Sequence, residues 1–337
     1  MPMQVAVIGG GSWGTTVAHL CAKNAPTTLW ARRDEVVADV RDRHRNSHYL
    51  EGFDLTPSLH ATSSLEEAVG AADVLVMGVP SHGMRETAKA LASFLRPWVP
   101  VVSLSKGLEQ GTRLRMTQVL EAELPGHPCG VLTGPNLAKE ILAGDAAASV
   151  IAMDDPVIAE ALQDVFAGDG FRVYTNPDVI GCEVAGALKN VMAIASGMAD
   201  GLGTGDNTRA AVITRGLAEL TRLGCAMGGQ QVTFGGLAGM GDLIATCISP
   251  QSRNRYVGEQ LGRGRTIDEV IEEMSMVAEG VKTSKVVMEL AKEYGVPMPI
   301  AREVHRVVHE GGTAAEAYRG LLARPDARAE MHGMPSN

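Results

Sequence analysis

The segment "VAVIGGGSWGTTVA", Val5–Ala18, decides the fold of the N-terminal half. Four apolar residues lead directly into the pattern G-x-G-x-x-G, formed by Gly9, Gly11 and Gly14. The first glycine permits a tight turn, the second lets the backbone approach a pyrophosphate, and the third lets a helix pack closely on a strand. The following helix offers free N–H groups and the positive end of its dipole to phosphates. The segment therefore predicts a strand, a turn and a helix that bind a dinucleotide.

Short hydrophobic runs recur downstream, with helical patterns between them, as far as residue 176. This alternation is typical of βαβ units, and continuous hydrophobic runs are typical of strands buried on both faces of a parallel sheet. The predicted strands are residues 3–9, 27–31, 73–80, 99–105, 130–134, 148–153 and 171–175. We predict an α/β chain: a Rossmann-type doubly wound sheet in residues 1–176, an all-α substrate and catalytic domain in 177–325, and a flexible tail in 326–337.

The second predicted strand ends in Arg32, Arg33 and Asp34. Guanidinium groups at this position suit the 2′-phosphate of NADP(H), whereas an acidic residue about 20 positions after the glycines suits NAD(H). The two arginines favour NADP(H), and Asp34 leaves NAD(H) open. The alternative is a solvated basic pair in a loop.

Composition limits the other ligands. A net charge of −9 and an aromatic content of 4% argue against a nucleic-acid partner, which needs local cations and stacking faces. The five cysteines form no C-x-x-C pair, and the nine histidines show no metal-ligand spacing, so we expect reduced thiols and no metal. The N-terminus has no signal-peptide pattern, and we expect no apolar span of 18 residues, no membrane insertion and a cytoplasmic location.

A lysine interrupts the apolar stretch "EVAGALKNVMAIASG", residues 183–197. Ten of the twelve residues from Val184 to Ala195 are apolar or glycine, and the two exceptions are Lys189 and Asn190. A buried ammonium is costly unless it is paired or loses its proton, so a counter-charge should face Lys189. The alternative is a lysine that extends to solvent from the edge of its helix.

Further polar residues follow predicted strands or punctuate the helical half. Lys106 in "SLSKGLE", and Gly134 and Asn136 in "LTGPNLAKE", lie where strands end, the edge that borders the ligand crevice of an open α/β sheet. In the helical half, Asp242 and Thr246 are four positions apart and so share one helix face. Ser252, Arg253 and Asn254 offer a hydroxyl, a guanidinium and an amide, which together suit a phosphate monoester.

With these motifs the chain resembles the NAD(P)-dependent glycerol-3-phosphate dehydrogenases. The resemblance is carried by the GxGxWG start, "SKG", "GPNLAKE", "GALKNVMAIASGMADGLGTGDNTRAA", "GLAGMGDLIATC", "SRNR" and "VAEGVKT", in that order along nearly the whole chain. It implies that Lys189 exchanges a proton with the substrate. It also implies substrate contacts at Lys106, Gly134, Asn136, Asp242, Ser252, Arg253 and Asn254. The implied cofactor contacts are Ser12, Trp13, Arg32, Arg33, Lys106, Ala138, Arg253, Val277 and Glu279.

The resemblance further implies reversible reduction of dihydroxyacetone phosphate to sn-glycerol 3-phosphate for glycerophospholipid synthesis, by a homodimer. We expect Lys189 to protonate the C2 oxygen, with Asn190 and Lys106 steadying that oxygen and Asp242 placing the ammonium. Asn136 and Leu137 stand where many members have serine and an aromatic residue. Two alternatives remain: a reductase of 3-hydroxy or 2-keto acids with the same architecture, and a sensor that binds NADPH without turnover.

Overall fold

The computed structural model describes residues 3–274 and 278–322, which form two compact units. The first unit contains the chain up to Ser105 together with Leu114–Val179. The second contains Lys106–Arg113 and the described residues from Ile180 onward. The short segment that carries Lys106 therefore leaves the sheet and belongs to the helical unit.

One eight-stranded sheet organises the first unit, in the order β3-β2-β1-β4-β5-β6-β7-β8. Its first six positions follow the 3-2-1-4-5-6 order of a dinucleotide-binding sheet. Strands β1 and β4 are buried along their whole length, as their continuous apolar sequences predicted. The strands are β1 Val5–Ile8, β2 Thr27–Trp30, β3 Leu59–Thr62, β4 Val74–Met77, β5 Val101–Ser103, β6 Cys129–Thr133, β7 Ala147–Met153 and β8 Phe171–Asn176.

Helices cover this sheet. The first one begins at Ser12, immediately after the glycine turn, and has no side-chain cap at its N-terminus. The helices of the first unit are α1 Ser12–Asn24, α2 Asp34–Arg43, α3 Leu65–Val69, α4 Met84–Leu91, α5 Met116–Glu123, α6 Ala138–Ala143 and α7 Pro156–Phe166.

Two features of the sheet differ from the sequence prediction. Strand β3 was missed because "LHAT" is not a continuous apolar run: it lies at the edge of the sheet, and only its first and last residues are buried. Strands β7 and β8 were placed correctly along the chain, but β7 pairs with β6 in the antiparallel sense, whereas the other pairs are parallel. Hydrophobicity alone does not distinguish these two senses.

The second unit is helical, and the part of it that the structure describes contains no strand, as predicted. Its central helix begins at Val179 and is buried on every side, as expected of a predominantly apolar core helix. The helices are α8 Val179–Gly201, α9 Asp206–Ala226, α10 Gln231–Phe234, α11 Asp242–Ile248, α12 Arg253–Gly262, α13 Ile267–Glu273, α14 Glu279–Glu293, α15 Pro299–His309 and α16 Ala314–Leu322. A π-helical turn, Leu237–Gly241, precedes α11.

Two stretches of the described chain are long and apolar enough to cross a membrane by length and composition. The expectation that no 18-residue apolar span exists was therefore wrong. The first stretch is α8 itself, whose apolar window is 94% buried within the protein, and the second is Gln231–Ile248, whose window is 44% buried. Burial explains the composition of α8 without a membrane. The predicted flexible tail, 326–337, lies outside the described residues.

Candidate active site

The glycine turn of the first unit has the shape that a dinucleotide requires. Gly9 has φ +127°, and a Cβ there would lie 2.5 Å from the carbonyl oxygen of Gly78. A Cβ on Gly14 would lie 2.1 Å from the carbonyl oxygen of Gly9, so packing within the protein demands both glycines. A Cβ on Gly11 would meet no atom within 4 Å. The open space beside Gly11, at the uncapped start of α1, fits a pyrophosphate.

The other cofactor positions predicted in this unit border the ends of strands. Ser12 and Trp13 open α1, and the indole Nε1 of Trp13 is buried without a hydrogen-bond partner among the described residues. Ala138 opens α6, whose first turn has no side-chain cap. Arg32 and Arg33 follow β2 and are exposed.

The predicted substrate positions after β6 are held by the protein itself. Gly134 has φ +140°, and a Cβ there would lie 3.1 Å from the Cα of Ser149. The Asn136 amide donates to the Ser149 hydroxyl at 3.2 Å, and that hydroxyl donates to the carbonyl of Thr133 at 2.8 Å. Asn136 Oδ1 is buried and makes no hydrogen bond within the described chain. Its amide is therefore fixed and retains one acceptor for a ligand.

In the second unit, one buried carboxylate holds two ammonium groups. Lys189 Nζ donates to Asp242 Oδ1 at 2.6 Å, and Lys106 Nζ donates to Asp242 Oδ2 at 2.7 Å. Asp242 is 1% exposed and Lys189 is 5% exposed, while 17% of the Lys106 side chain is accessible. The counter-charge that the sequence required opposite Lys189 is present. With both lysines protonated, the cluster carries one surplus positive charge close to solvent.

The start of α11 fixes this cluster. Thr246 lies one helical turn after Asp242, as predicted, and its hydroxyl donates to the Asp242 carbonyl at 2.7 Å while accepting from Lys189 Nζ at 2.6 Å. The π-helical turn ends directly before Asp242, the first residue of α11. Such turns are frequent at functional sites.

A chain of amides supports the lysines. Asn190 Nδ2 donates to the Lys106 carbonyl at 2.9 Å, and Asn190 Oδ1 accepts from Asn254 at 3.0 Å. Asn254 Oδ1 in turn accepts the backbone N–H of Gly280 at 2.9 Å. The contacts of Asn190 position the backbone that carries Lys106. Direct contact of Asn190 with a reacting oxygen stays a prediction.

The remaining predicted residues gather at the start of α12. Ser252 caps this helix by accepting the N–H of Arg255 at 3.2 Å, and Arg253 occupies its exposed first position. Glu279, at the start of α14, attracts Arg253 electrostatically. Together these groups place a guanidinium beside the positive end of a helix, which suits an anion. Val277 lies outside the described residues.

Glycines on α8 and α12, which sequence reasoning did not single out, bring these groups together. A Cβ on Gly197 would lie 2.0 Å from the carbonyl oxygen of Arg255, and one on Gly258 would lie 2.0 Å from that of Ile194. The two helix backbones are therefore in direct contact, which puts Asn254 within reach of Asn190. The signal was available as glycines four positions apart on each helix, Gly197 with Gly201 and Gly258 with Gly262.

The pKa of Lys106 differs from that of a surface lysine. Burial lowers the pKa of Lys106 to about 8; attraction to Asp242 opposes this shift, and repulsion from Lys189 adds to it. Lys106 thus changes its charge close to neutral pH, where a lysine on the surface would not.

A dinucleotide-binding sheet, together with a helical unit in which one buried aspartate holds two lysines, defines the chain as an NAD(P)-dependent oxidoreductase. The sequence model of the NAD-dependent glycerol-3-phosphate dehydrogenase N-terminus matches residues 4–159, and that of its C-terminus matches residues 178–319. The chain belongs to the NAD-dependent glycerol-3-phosphate dehydrogenase family. Membership decides against both alternatives, the hydroxy- or keto-acid reductase and the sensor without turnover.

Comparison with individual relatives supports the same family. A glycerol-3-phosphate dehydrogenase (NAD(P)+) from Sphingopyxis alaskensis is 58% identical over 96% of this chain and 97% of the relative. One from Mycobacterium tuberculosis is 58% identical over 98% of this chain and 97% of the relative. The crystal structure of glycerol-3-phosphate dehydrogenase from Coxiella burnetii superposes with a TM-score of 0.91 at 35% identity, covering 96% of this chain and 99% of that one.

Proposed function

We propose that this glycerol-3-phosphate dehydrogenase works mainly toward reduction, converting dihydroxyacetone phosphate to sn-glycerol 3-phosphate, and that it prefers NADPH over NADH. The product would supply glycerophospholipid synthesis, and the enzyme would act as a cytoplasmic homodimer. One observation carries the chemical part of the proposal: Asp242 holds the ammonium groups of both Lys106 and Lys189. A surplus positive charge with a transferable proton suits a carbonyl oxygen that becomes an alkoxide.

Each residue of the cluster has a distinct part in this proposal. Bound NAD(P)H supplies the hydride. Lys189 gives its proton to the C2 oxygen, while Asp242 and Thr246 keep its ammonium in one orientation. Lys106 adds a second positive charge that stabilises the oxyanion as it forms. Because these groups are already fixed by hydrogen bonds within the protein, little reorganisation accompanies the reaction.

The phosphate end of the substrate suits the start of α12. Arg253 provides the guanidinium, and the first turn of the helix, with Ser252 and Asn254, provides polar hydrogens and the positive end of the dipole. Binding energy from this non-reacting end holds C2 in place for the transfer.

The direct test follows NADPH absorbance after dihydroxyacetone phosphate is added to the purified enzyme. We expect rapid oxidation of NADPH, and slower turnover in the opposite direction with glycerol 3-phosphate and NADP+ at neutral pH. Pyruvate, ketopantoate and unphosphorylated dihydroxyacetone serve as controls. Turnover of a keto acid at a comparable kcat/KM would refute the substrate proposal.

The cofactor preference is tested by replacing both Arg32 and Arg33 with alanine. Because guanidinium groups would bond the 2′-phosphate that only NADPH carries, we expect the KM for NADPH to rise at least about tenfold, the equivalent of one charge-assisted hydrogen bond. The KM for NADH should stay within about twofold of the wild-type value. Equal increases for the two cofactors, measured at saturating substrate, would contradict the preference.

The pKa of Lys106 predicts a pH dependence of kcat/KM for dihydroxyacetone phosphate. Lys106 is mostly protonated below pH 8 and loses its charge above it, because its pKa in the folded protein is about 8. Since this charge stabilises the oxyanion as it forms, kcat/KM should fall above pH 8, by up to about tenfold per pH unit. Lys106→Arg keeps its charge throughout, so its kcat/KM should lack this fall from pH 7 to 9.5. A flat wild-type profile, or the same fall in the variant, would remove this role.

A further inference from the structure

A pocket at the end of β2 contains groups that the sequence analysis did not select. It is lined by Arg33 and Glu35 at the start of α2, by Asp39 and Arg43 further along that helix, and by the loop that follows. Arg32, the other arginine of the predicted pair, does not line it. Of these two neighbouring arginines, only Arg33 therefore borders the pocket.

Arg33 is held in this pocket by a histidine. Its Nη1 lies 2.7 Å from Nε2 of His48. A guanidinium has no acceptor, so Nε2 must accept the hydrogen bond, and the imidazole is neutral with its hydrogen on Nδ1. The bond occupies one of the five N–H groups of Arg33. His48 is the only side chain to which Arg33 hydrogen-bonds in the described parts of the chain, so other N–H groups remain for a ligand.

The loop that carries His48 is fastened to the glycine turn. Asn46 is fully buried, and its Nδ2 donates to the Gly10 carbonyl at 2.9 Å and to the Thr15 hydroxyl at 2.8 Å. The His48 ring packs edge-on against Tyr49, with 4.4 Å between ring centroids. His48 thus stands on a loop tied to the same turn that fits the pyrophosphate, so the position of Arg33 is set relative to the cofactor site.

The second arginine of the pocket is anchored as well. Arg43 Nε contacts Asp39 Oδ1 at 2.9 Å, and the other Asp39 oxygen accepts the N–H of Ser47 at 2.6 Å. The charge of Asp39 is thereby matched, and the rest of the Arg43 guanidinium borders the pocket. Exposed Glu35 also lines the pocket and has the opposite preference, because a carboxylate suits the free 2′-hydroxyl of NADH and repels a phosphate.

We propose that His48 is a positioning residue for cofactor discrimination, holding the Arg33 guanidinium where the 2′-phosphate of NADPH would bind. The inference rests on the proposed NADPH preference and extends it to a residue outside the arginine pair. Its physical basis is pre-organisation. Ordering a free arginine side chain costs rotamer entropy, and a hydrogen bond already present in the free protein removes part of that cost from binding.

The test is His48→Ala, with steady-state KM measured for NADPH and for NADH at saturating dihydroxyacetone phosphate. We expect a three- to tenfold higher KM for NADPH, an unchanged KM for NADH and an unchanged kcat. His48→Gln should restore most of the affinity, because its amide oxygen can accept from Arg33. His60→Ala, which removes an exposed histidine from β3, is the matched control and should change neither KM.

A double-mutant cycle separates this role from a general structural one. If His48 acts through Arg33, adding His48→Ala to Arg33→Ala should not raise the KM for NADPH further. Additive effects on the KM for NADPH, or equal increases of both KM values in His48→Ala, would overturn the inference. In that case a selective effect of Arg33→Ala on the KM for NADPH would still support the NADPH preference. An Arg33→Ala variant that affects both cofactors equally would refute the preference itself.

Discussion

Lys189→Met should lower kcat for reduction of dihydroxyacetone phosphate by at least about 10²-fold, the usual effect of losing a general acid. Methionine keeps most of the volume of this 5% exposed side chain, and Asp242 retains Lys106 as its partner, so the helical unit should stay folded. Because the proton moves only in the transition state, kcat and kcat/KM should fall together, with little change in substrate affinity.

Lys285→Met provides the matched control for this loss. Lys285 is exposed on α14 and should be replaceable without a change in kcat. The decisive measurement is single-turnover oxidation of NADPH, which reports the chemical step without product release. A Lys189→Met enzyme with near wild-type single-turnover rates would mean that another group delivers the proton. Lys106, with its pKa of about 8, would then be the first to examine.

Local sequence patterns predicted seven of the eight strands of the first unit. The glycine pattern after β1 and the apolar runs of β4 and β6 have direct physical meaning, since each is dictated by backbone geometry or by burial on both faces. Strand β3 was not predicted because an edge strand does not need an apolar run. The antiparallel pairing of β7 with β6 was not predicted because the pairing direction depends on the path of the connection, which composition does not encode.

The candidate site was predicted in part for the same reason. A lone lysine in the apolar sequence of α8 implies a buried counter-charge, so a charged partner for Lys189 follows from electrostatics, and the structure shows that this partner is Asp242. That Lys106 shares this carboxylate does not follow, because 136 positions separate the two residues and only the tertiary fold brings them together. The role of His48 was not predicted either, since an exposed histidine in a polar loop resembles any surface residue until its contact with Arg33 is known.

Asp242→Asn should have the largest effect of any single change, because it removes the charge that two ammonium groups share. An amide of the same shape leaves Lys189 buried without a counter-ion, and breaking such a pair costs about 3–5 kcal/mol. We expect a loss of this size in the free energy of unfolding measured by urea at pH 7, together with a fall in kcat at least as large as that of Lys189→Met. Asp206→Asn, at an exposed position on α9, should leave both quantities unchanged.

The pH dependence of that loss identifies its cause. A lysine whose pKa is lowered in the folded state binds fewer protons than in the unfolded state between the two pKa values, so stability rises with pH across that window. Lys106 already has a pKa of about 8, against 10.5 for an ordinary lysine, and without the attraction of Asp242 this value must fall further. The deficit of Asp242→Asn should therefore shrink as the pH rises from 7 to 8, where Lys106 is neutral in the folded variant but still charged in the folded wild type. Above pH 8 Lys106 is neutral in both folded proteins, so both gain stability in parallel. A deficit that stays constant from pH 7 to 8 would mean that lost packing, and not two uncompensated cations, destabilises the variant.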